Sequence, residues 1–257
     1  MLDDLGAPVE LPRSPRRVVS LVPSLTEAIA ATVPGVLVGA TDWCTHPADL
    51  AVERVRGTKN PDLARIRALA PDLVIANEEE NRKLDVERLR ASGTEVWVTK
   101  IDSVDEAFSS LGRLFGDALG LAEQPAWLAR AREVWDAPAA RPGLRVAVPI
   151  WRDPWIWVGR QTYADDLVQR LGWANAAADG RGGGGGRYPH AEVADILAAG
   201  GGVDAVLLPD EPYPFGPDDG PEAFPAGTRT VPVPGRALFW YGPAMIEARG
   251  VLESLVG

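Results

Sequence analysis

Several short stretches of the chain gather side chains capable of chemistry. Residues 43–46, Trp-Cys-Thr-His, set the thiol of Cys44 two positions from the imidazole of His46, and both are transition-metal ligands. Residues 78–80 are three consecutive glutamates, and Glu78, Glu79 or Glu80 could complete such a site. Residues 151–157, WRDPWIW, put Trp151, Trp155 and Trp157 around Arg152. Flat indole rings suit a planar ligand, with Arg152 or Arg160 meeting its carboxylates. Trp240 and Tyr241 add two more rings, and Tyr188 and His190 lie beside a run of five glycines at 182–186.

Each of these has a plainer reading. A C-x-H pair lacks the paired spacing of a zinc site, and a lone cysteine also serves as a small buried apolar residue. Three glutamates suit a solvated helix start, and most tryptophans bury in cores. There is no G-x-S-x-G, H-E-x-x-H or Walker loop, and no strand pattern leads into the glycine run as a dinucleotide fingerprint requires. Nothing positive points to catalysis. The expectation is a binding protein needing no cofactor. Its rivals are a metal-dependent enzyme built on Cys44, His46 and a glutamate, and an acidic-cleft module that holds a basic peptide.

The elements that must position these residues alternate between short apolar runs and amphipathic patterns. Strands are expected near 17–21, 36–40, 71–76, 95–99, 144–149, 205–208 and 230–233. Helices are expected after the S-L-T-E box at 24–27, and near 62–69, 81–92, 103–119, 161–171, 192–199 and 243–256. That alternation predicts an α/β fold with mostly parallel sheets flanked by helices. Ligands of such sheets sit outside the carboxyl ends of the strands, where the loops 43–46, 77–80, 151–157 and 210–213 fall. Between the two blocks, residues 121–140 read as one helix, with Trp127, Leu128, Ala131, Val134 and Trp135 on a single face. The chain is therefore expected to form an N-terminal lobe (1–119), a rigid joining helix (120–142) and a C-terminal lobe (143–257), with a cleft between the lobes. The glycine run reads as a mobile surface loop, and the Pro- and Gly-rich passage to Gly227 as functional or disordered.

With 257 residues, 46% of them hydrophobic, the chain can bury a sizeable core. A net charge of −10, with no basic stripe, argues against nucleic acid as a partner. A single cysteine rules out an internal disulfide. The opening MLDDLGAPVELP has neither a basic nor an apolar leader region. As written, the expectation is a cytoplasmic chain that does not insert in a membrane, with an extracytoplasmic location as the alternative if a leader was removed.

In order along the chain, DDLG at 3–6, VELP at 9–12, RVVSLVPS at 17–24 with Thr26 and Glu27, Gly39, APDLVI at 70–75, the single crossing helix, Gly159, Leu171-Gly172, Tyr188-Pro189 and WYGP at 240–243 resemble one family. It is the substrate-binding proteins for siderophores, haem and cobalamin, the class III helical-backbone metal receptors. The cobalamin-binding branch is the nearest. The resemblance implies two lobes joined by a rigid helix, a metal chelate or corrinoid/tetrapyrrole-like ligand held between them, and delivery to an ABC importer. It implies corrin contacts at Trp43, at Ile156 or its neighbours Trp155 and Trp157, and at Tyr188, with Thr58 standing where another aromatic is usual. The positions of the permease-docking glutamates read Ala64 and Ala194, which predicts a cytoplasmic variant that kept the fold and lost the docking.

Overall fold

The computed structural model describes residues 1–11, 14–140, 142–179 and 186–256. The glycine run, apart from Gly186, lies outside the described residues, and with it the reading of that run as a mobile loop. Two compact units divide the chain.

The first unit comprises Met1–Ile101, Asp105–Arg132 and Tyr241–Pro243. Its strands are β1 (Val18–Ser20), β2 (Leu37–Ala40), β3 (Glu53–Arg54), the short hairpin β4 (Arg56–Gly57) and β5 (Asn60–Pro61), β6 (Leu73–Asn77) and β7 (Val96–Thr99). Its helices are α1 (Pro23–Thr32), α2 (Leu63–Ala68), α3 (Lys83–Ala91) and α4 (Val104–Arg113), the last continuing as a π-helical turn, Leu114–Ala118. A parallel five-stranded sheet runs β3-β2-β1-β6-β7. All five residues of β6 are buried, as a central strand covered on both faces requires. Val19, Val74, Val98, Ile66 and Leu89 form the core of one face.

The second unit comprises Asp102–Val104, Glu133–Trp240 and Ala244 onward. Its strands are β8 (Arg145–Ala147), the antiparallel pair β9 (Pro149–Trp151) and β10 (Ile156–Trp157), β11 (Ala174–Asn175), β12 (Ala205–Pro209) and β13 (Thr230–Val233). A parallel sheet runs β11-β8-β12-β13. Its helices are α6 (Tyr163–Arg170), α7 (Val193–Ala198), α8 (Gly235–Phe239) and α9 (Met245–Leu255), numbered after α5, which is described next. Thr162 caps α6 by accepting from the Asp165 N–H at 3.2 Å. Gly172, at φ +75°, lets the chain turn out of α6 where a side chain would be strained.

The joining helix is shorter than its pattern suggests. Helix α5 spans Ala126–Asp136, with Ala126–Arg132 in the first unit and Glu133–Asp136 in the second. At its start, Gln124 donates its side-chain amide to the Gly112 carbonyl instead of joining the helix. At its end the buried Arg249 guanidinium takes the carbonyls of Val134 (2.8 Å), Ala137 (2.7 Å) and Pro138. Asp102–Val104 group with the second unit and Tyr241–Pro243 with the first. Helix α1 likewise departs from expectation. Pro23 opens it, Val22 stands at the cap with no side-chain cap bond, and Ser24 lies inside the helix. Among the described residues no helix is long and apolar enough to cross a membrane.

Candidate ligand-binding loops

In the first sheet the chain goes from β1 to β2 on one side and returns to β6 on the other. The topological switch point, where α/β sheets bind ligands, therefore lies outside the carboxyl ends of these strands. Two asparagines hold the loop that leaves β6. Asn77 Oδ1 accepts the main-chain N–H groups of Glu79 (2.9 Å) and Glu80 (3.1 Å), and its Nδ2 donates to the Thr99 carbonyl and hydroxyl. Asn81 Oδ1 accepts the Asn77 N–H at 2.9 Å, while its Nδ2 donates to the carbonyls of Leu21 and Thr58. Both side chains are buried. Together they tie the exits of β1 and β6 and the β4–β5 turn into one frame, so that the three glutamates stand on a loop of fixed shape.

On this frame Glu78 and Glu79 are exposed and Glu80 is half-buried. Glu78 pairs with Lys100 at 3.3 Å, and Lys59 donates to the Glu79 carbonyl. Tyr241 is buried and donates its hydroxyl to Glu80 Oε1 at 3.3 Å. Burial and the Glu80 charge hold its phenol well above the ordinary range. Tyr241 is thus a structural member of the first unit rather than an open ring. Thr58 is half-buried and contributes its carbonyl to Asn81.

The loop leaving β2 carries Trp43 with 66% of its surface exposed. Arg54 stiffens that loop from below, donating to the carbonyls of Thr41, Cys44 and Leu50. Cys44 is fully buried between two hydroxyls, those of Thr26 (3.0 Å) and Thr41 (3.1 Å). Burial pushes its thiol up, which disfavours the thiolate that a metal needs. His46 is exposed, with Nδ1 3.1 Å from Thr45 Oγ1. The two residues expected to hold a metal therefore point to different environments, core and solvent. Among the described residues no group of three or more His, Cys, Asp or Glu side chains is placed to hold a metal ion.

In the second unit β8 pairs with both β11 and β12, which puts its switch point at the exits of β8 and β12. Here the aromatic stretch behaves unlike its sequence reading. Trp157 is fully buried and donates its indole N–H to the Ala191 carbonyl at 2.9 Å, so it is core and not ligand-facing. Trp155 is sandwiched, its centroid 5.7 Å from Trp157 and 5.9 Å from Phe215. Arg152 does not await a ligand carboxylate. It is held by Asp219 and Glu222, lies 3.4 Å from Asp153, and covers the Trp155 ring. Tyr213 donates to Asp219 at 2.8 Å, so the Pro- and Gly-rich passage is clamped in place. Arg160 likewise donates to the Ala178 carbonyl.

Trp240 is buried, with Arg236 above its ring and its side chain hydrogen-bonded to Glu211. Trp151 is 45% exposed with Tyr213 edge-on to it at 5.4 Å, and Tyr188 is 36% exposed with Arg187 over its ring; His190 is exposed beside β10, bridging Ile156 through the main chain. Ala64 and Ala194 are exposed on α2 and α7.

Sequence reasoning missed Asn77 and Asn81. Their signal was the pair of asparagines bracketing the glutamates, since asparagine at a strand exit bonds the main chain two residues on. It also missed Asp219 and Glu222 as partners of Arg152, and nothing in their spacing marks them.

Known proteins provide a comparison for this architecture. No protein-family model matches the chain. An uncharacterised ABC transporter substrate-binding lipoprotein of Bacillus subtilis is 28% identical over 185 residues, which is 66% of this chain and 58% of the relative. A vitamin B12-binding protein of Pectobacterium atrosepticum is 28% identical over 177 residues, 64% of this chain and 63% of the relative. The chain thus spans less than two thirds of the length of these curated relatives. Among solved structures, the periplasmic vitamin B12-binding protein of Vibrio cholerae superposes with a TM-score of 0.74 at 18% identity, over 95% of this chain and 98% of the other. A periplasmic haem-binding protein of Pseudomonas aeruginosa gives 0.77 at 23%, over 94% and 93%. In its apo form the haem-binding protein of Roseiflexus sp. RS-1 gives 0.75 at 22%, over 94% and 99%. The chain therefore has the fold of these periplasmic binding proteins, and about two thirds of it is similar in sequence to a vitamin B12-binding protein.

Proposed function

We propose that this chain is a binding protein, not an enzyme, for a flat metal chelate of the corrinoid or tetrapyrrole type, which it delivers to an ABC permease. The observation that carries the reading is Trp43. This indole leaves two thirds of its surface uncovered, and it stands on a rigid loop at the carboxyl end of a parallel sheet. In the second unit Trp151, at the end of the antiparallel strand β9, is also largely uncovered. A stiff loop with an exposed ring provides a pre-shaped stacking surface, and little ordering entropy is then lost on binding. The similar proteins described above bind vitamin B12 and haem, which supports the same class of ligand. Ala64 and Ala194, both exposed, offer no carboxylate to such a permease at those two positions.

The test is an equilibrium titration of the ligand-free protein with hydroxocobalamin, haem and ferric siderophores, followed by tryptophan fluorescence. Saturable quenching by at least one of them is expected. Absence of quenching by all of them, with the circular dichroism of a folded protein, would contradict the reading.

A further inference from the structure

The exposed ring of Trp43 rests on the β4–β5 hairpin. A Cβ added at Gly57 would lie 3.3 Å from Trp43 Nε1 and 2.5 Å from Asn60 Oδ1, so the nitrogen-bearing edge of the indole sits against the main chain of β4. Backbone freedom does not account for a glycine here. The left-handed conformation of this hairpin falls on Arg56, at φ +67°, and not on Gly57, whose φ is open to residues that carry side chains. What the glycine supplies is space, and the indole edge and the Asn60 side chain occupy it.

The hairpin is itself anchored. Gly57 pairs with Asn60 across the turn, the Thr58 carbonyl accepts from Asn81 Nδ2 at 3.0 Å, and Lys59 donates to the Glu79 carbonyl. The Arg56 carbonyl accepts the Asp42 N–H at 2.8 Å, one residue before the ring. The residue in the unusual conformation is therefore the one whose carbonyl reaches the Trp43 loop. Main chain and ring of that loop meet the same hairpin at successive residues, Arg56 and Gly57. A side chain seated in this way gives up part of its rotamer freedom before a ligand arrives.

We propose that Gly57 is a positioning residue for Trp43: the missing side chain lets the indole lie against the hairpin, and the hairpin thereby sets the pose in which the ring meets a ligand. This rests on the reading above that a flat chelate stacks on Trp43. It places the origin of the ring's pose in the neighbouring hairpin as well as in the loop that carries it.

The experiment measures dissociation constants for dicyanocobinamide and haem with the full chain carrying Gly57→Ala, Gly57→Val, Trp43→Ala, or Trp43→Ala together with Gly57→Val. In Gly57→Ala the ring has to give way by a few tenths of an ångström, and the methyls of Gly57→Val reach into the place of its edge. Valine suits a strand, and circular dichroism verifies the fold of each variant. Gly57→Val should weaken binding about five-fold, close to the loss for Trp43→Ala itself, with Gly57→Ala in between. Once Trp43 is alanine, Gly57→Val should change affinity by less than about 1.5-fold. If Gly57→Val does not fold, Gly57→Ala takes its place in the same cycle.

Fluorine NMR of the chain labelled with 5-fluorotryptophan reads the pose without any ligand. The Trp43 signal, identified by its disappearance in Trp43→Phe, should shift in Gly57→Ala while the signals of the remaining tryptophans hold their places. An unmoved Trp43 signal, an affinity unchanged by the substitution at 57, or an equal loss with and without Trp43 would each overturn the inference and leave the binding-protein reading standing. No binding of either probe by the folded wild-type chain would overturn both.

Discussion

Asn81 Oδ1 accepts the main-chain N–H of Asn77 at 2.9 Å, while Asn77 turns its own side-chain oxygen to the N–H groups of Glu79 and Glu80. This reciprocal pair holds the β6 exit, and the Asn81 amide extends the hold to Leu21 and Thr58. Asn81→Ala would leave a buried N–H and two carbonyls without partners. It should cost about 2–4 kcal/mol of unfolding free energy, read from urea denaturation, and should weaken chelate binding as well. A change below about 0.5 kcal/mol would mean the loop keeps its shape by other means.

Trp43 carries the stacking claim. Trp43→Ala removes an exposed ring, so stability should move by no more than about 0.5 kcal/mol. Affinity for the chelate should fall roughly five-fold, corresponding to about 1 kcal/mol of lost aromatic contact. Titration and thermal melting of the same sample separate the two effects.

Arg249 closes the carboxyl end of α5 with its guanidinium and is itself buried. Arg249→Met keeps much of the apolar stem and leaves the carbonyls of Val134 and Ala137 unpaired. A loss of about 3–5 kcal/mol is expected, the scale for breaking a buried charged network. Denaturant midpoints of the two proteins measure it.

Glu211 gives a pH signature. Burial raises its carboxyl pKa, the Trp240 indole pulls it partly back, and its Oε1 is buried without a hydrogen-bond partner. Gly235 packs directly on it, where an added Cβ would sit 2.3 Å from Glu211 Cγ. Because the folded pKa is raised, the folded state holds the proton more tightly than the unfolded chain. Its stabilising effect is complete below the unfolded carboxyl range and is lost as pH rises through the folded pKa. Glu211→Gln removes that dependence, so its stability relative to wild type should be greater at pH 8 than at pH 4. A constant difference across that range would contradict the assignment.

Cys44 should behave as an inert core thiol. Its buried seat between Thr26 and Thr41 and its raised pKa predict negligible labelling by a thiol reagent at pH 8 in the folded state, and full labelling in denaturant. EDTA should leave the melting temperature unchanged. Rapid native labelling, or a melting shift with EDTA, would revive the metal reading.

Much of the architecture was legible because apolar period and turn residues agree. β13 at Thr230–Val233 falls where its β-branched run lies, and Asp62 caps α2 as its side chain suits. Long-range pairing was not legible. The three tryptophans at 151–157 looked alike in sequence, yet one is exposed, one is sandwiched and one is core. That sorting depends on Phe215 and Phe224, about sixty residues later in the chain, which no local pattern reveals. Arg152 looked open to a ligand for the same reason, its partners Asp219 and Glu222 being equally distant in sequence. Tyr241 looked like a ring of the second lobe, but its contact with Glu80 puts it in the first unit.

The central claim is that a flat chelate binds at the carboxyl-end loops, and amide hydrogen exchange with and without dicyanocobinamide tests it directly. Protection is expected over residues 42–46 and 77–81, with none at the groove near the amino ends of β12 and β13 lined by Gly202, Val203 and Arg229. Binding that protects that groove and leaves the Trp43 and Glu79 loops exchanging at the ligand-free rate would contradict it.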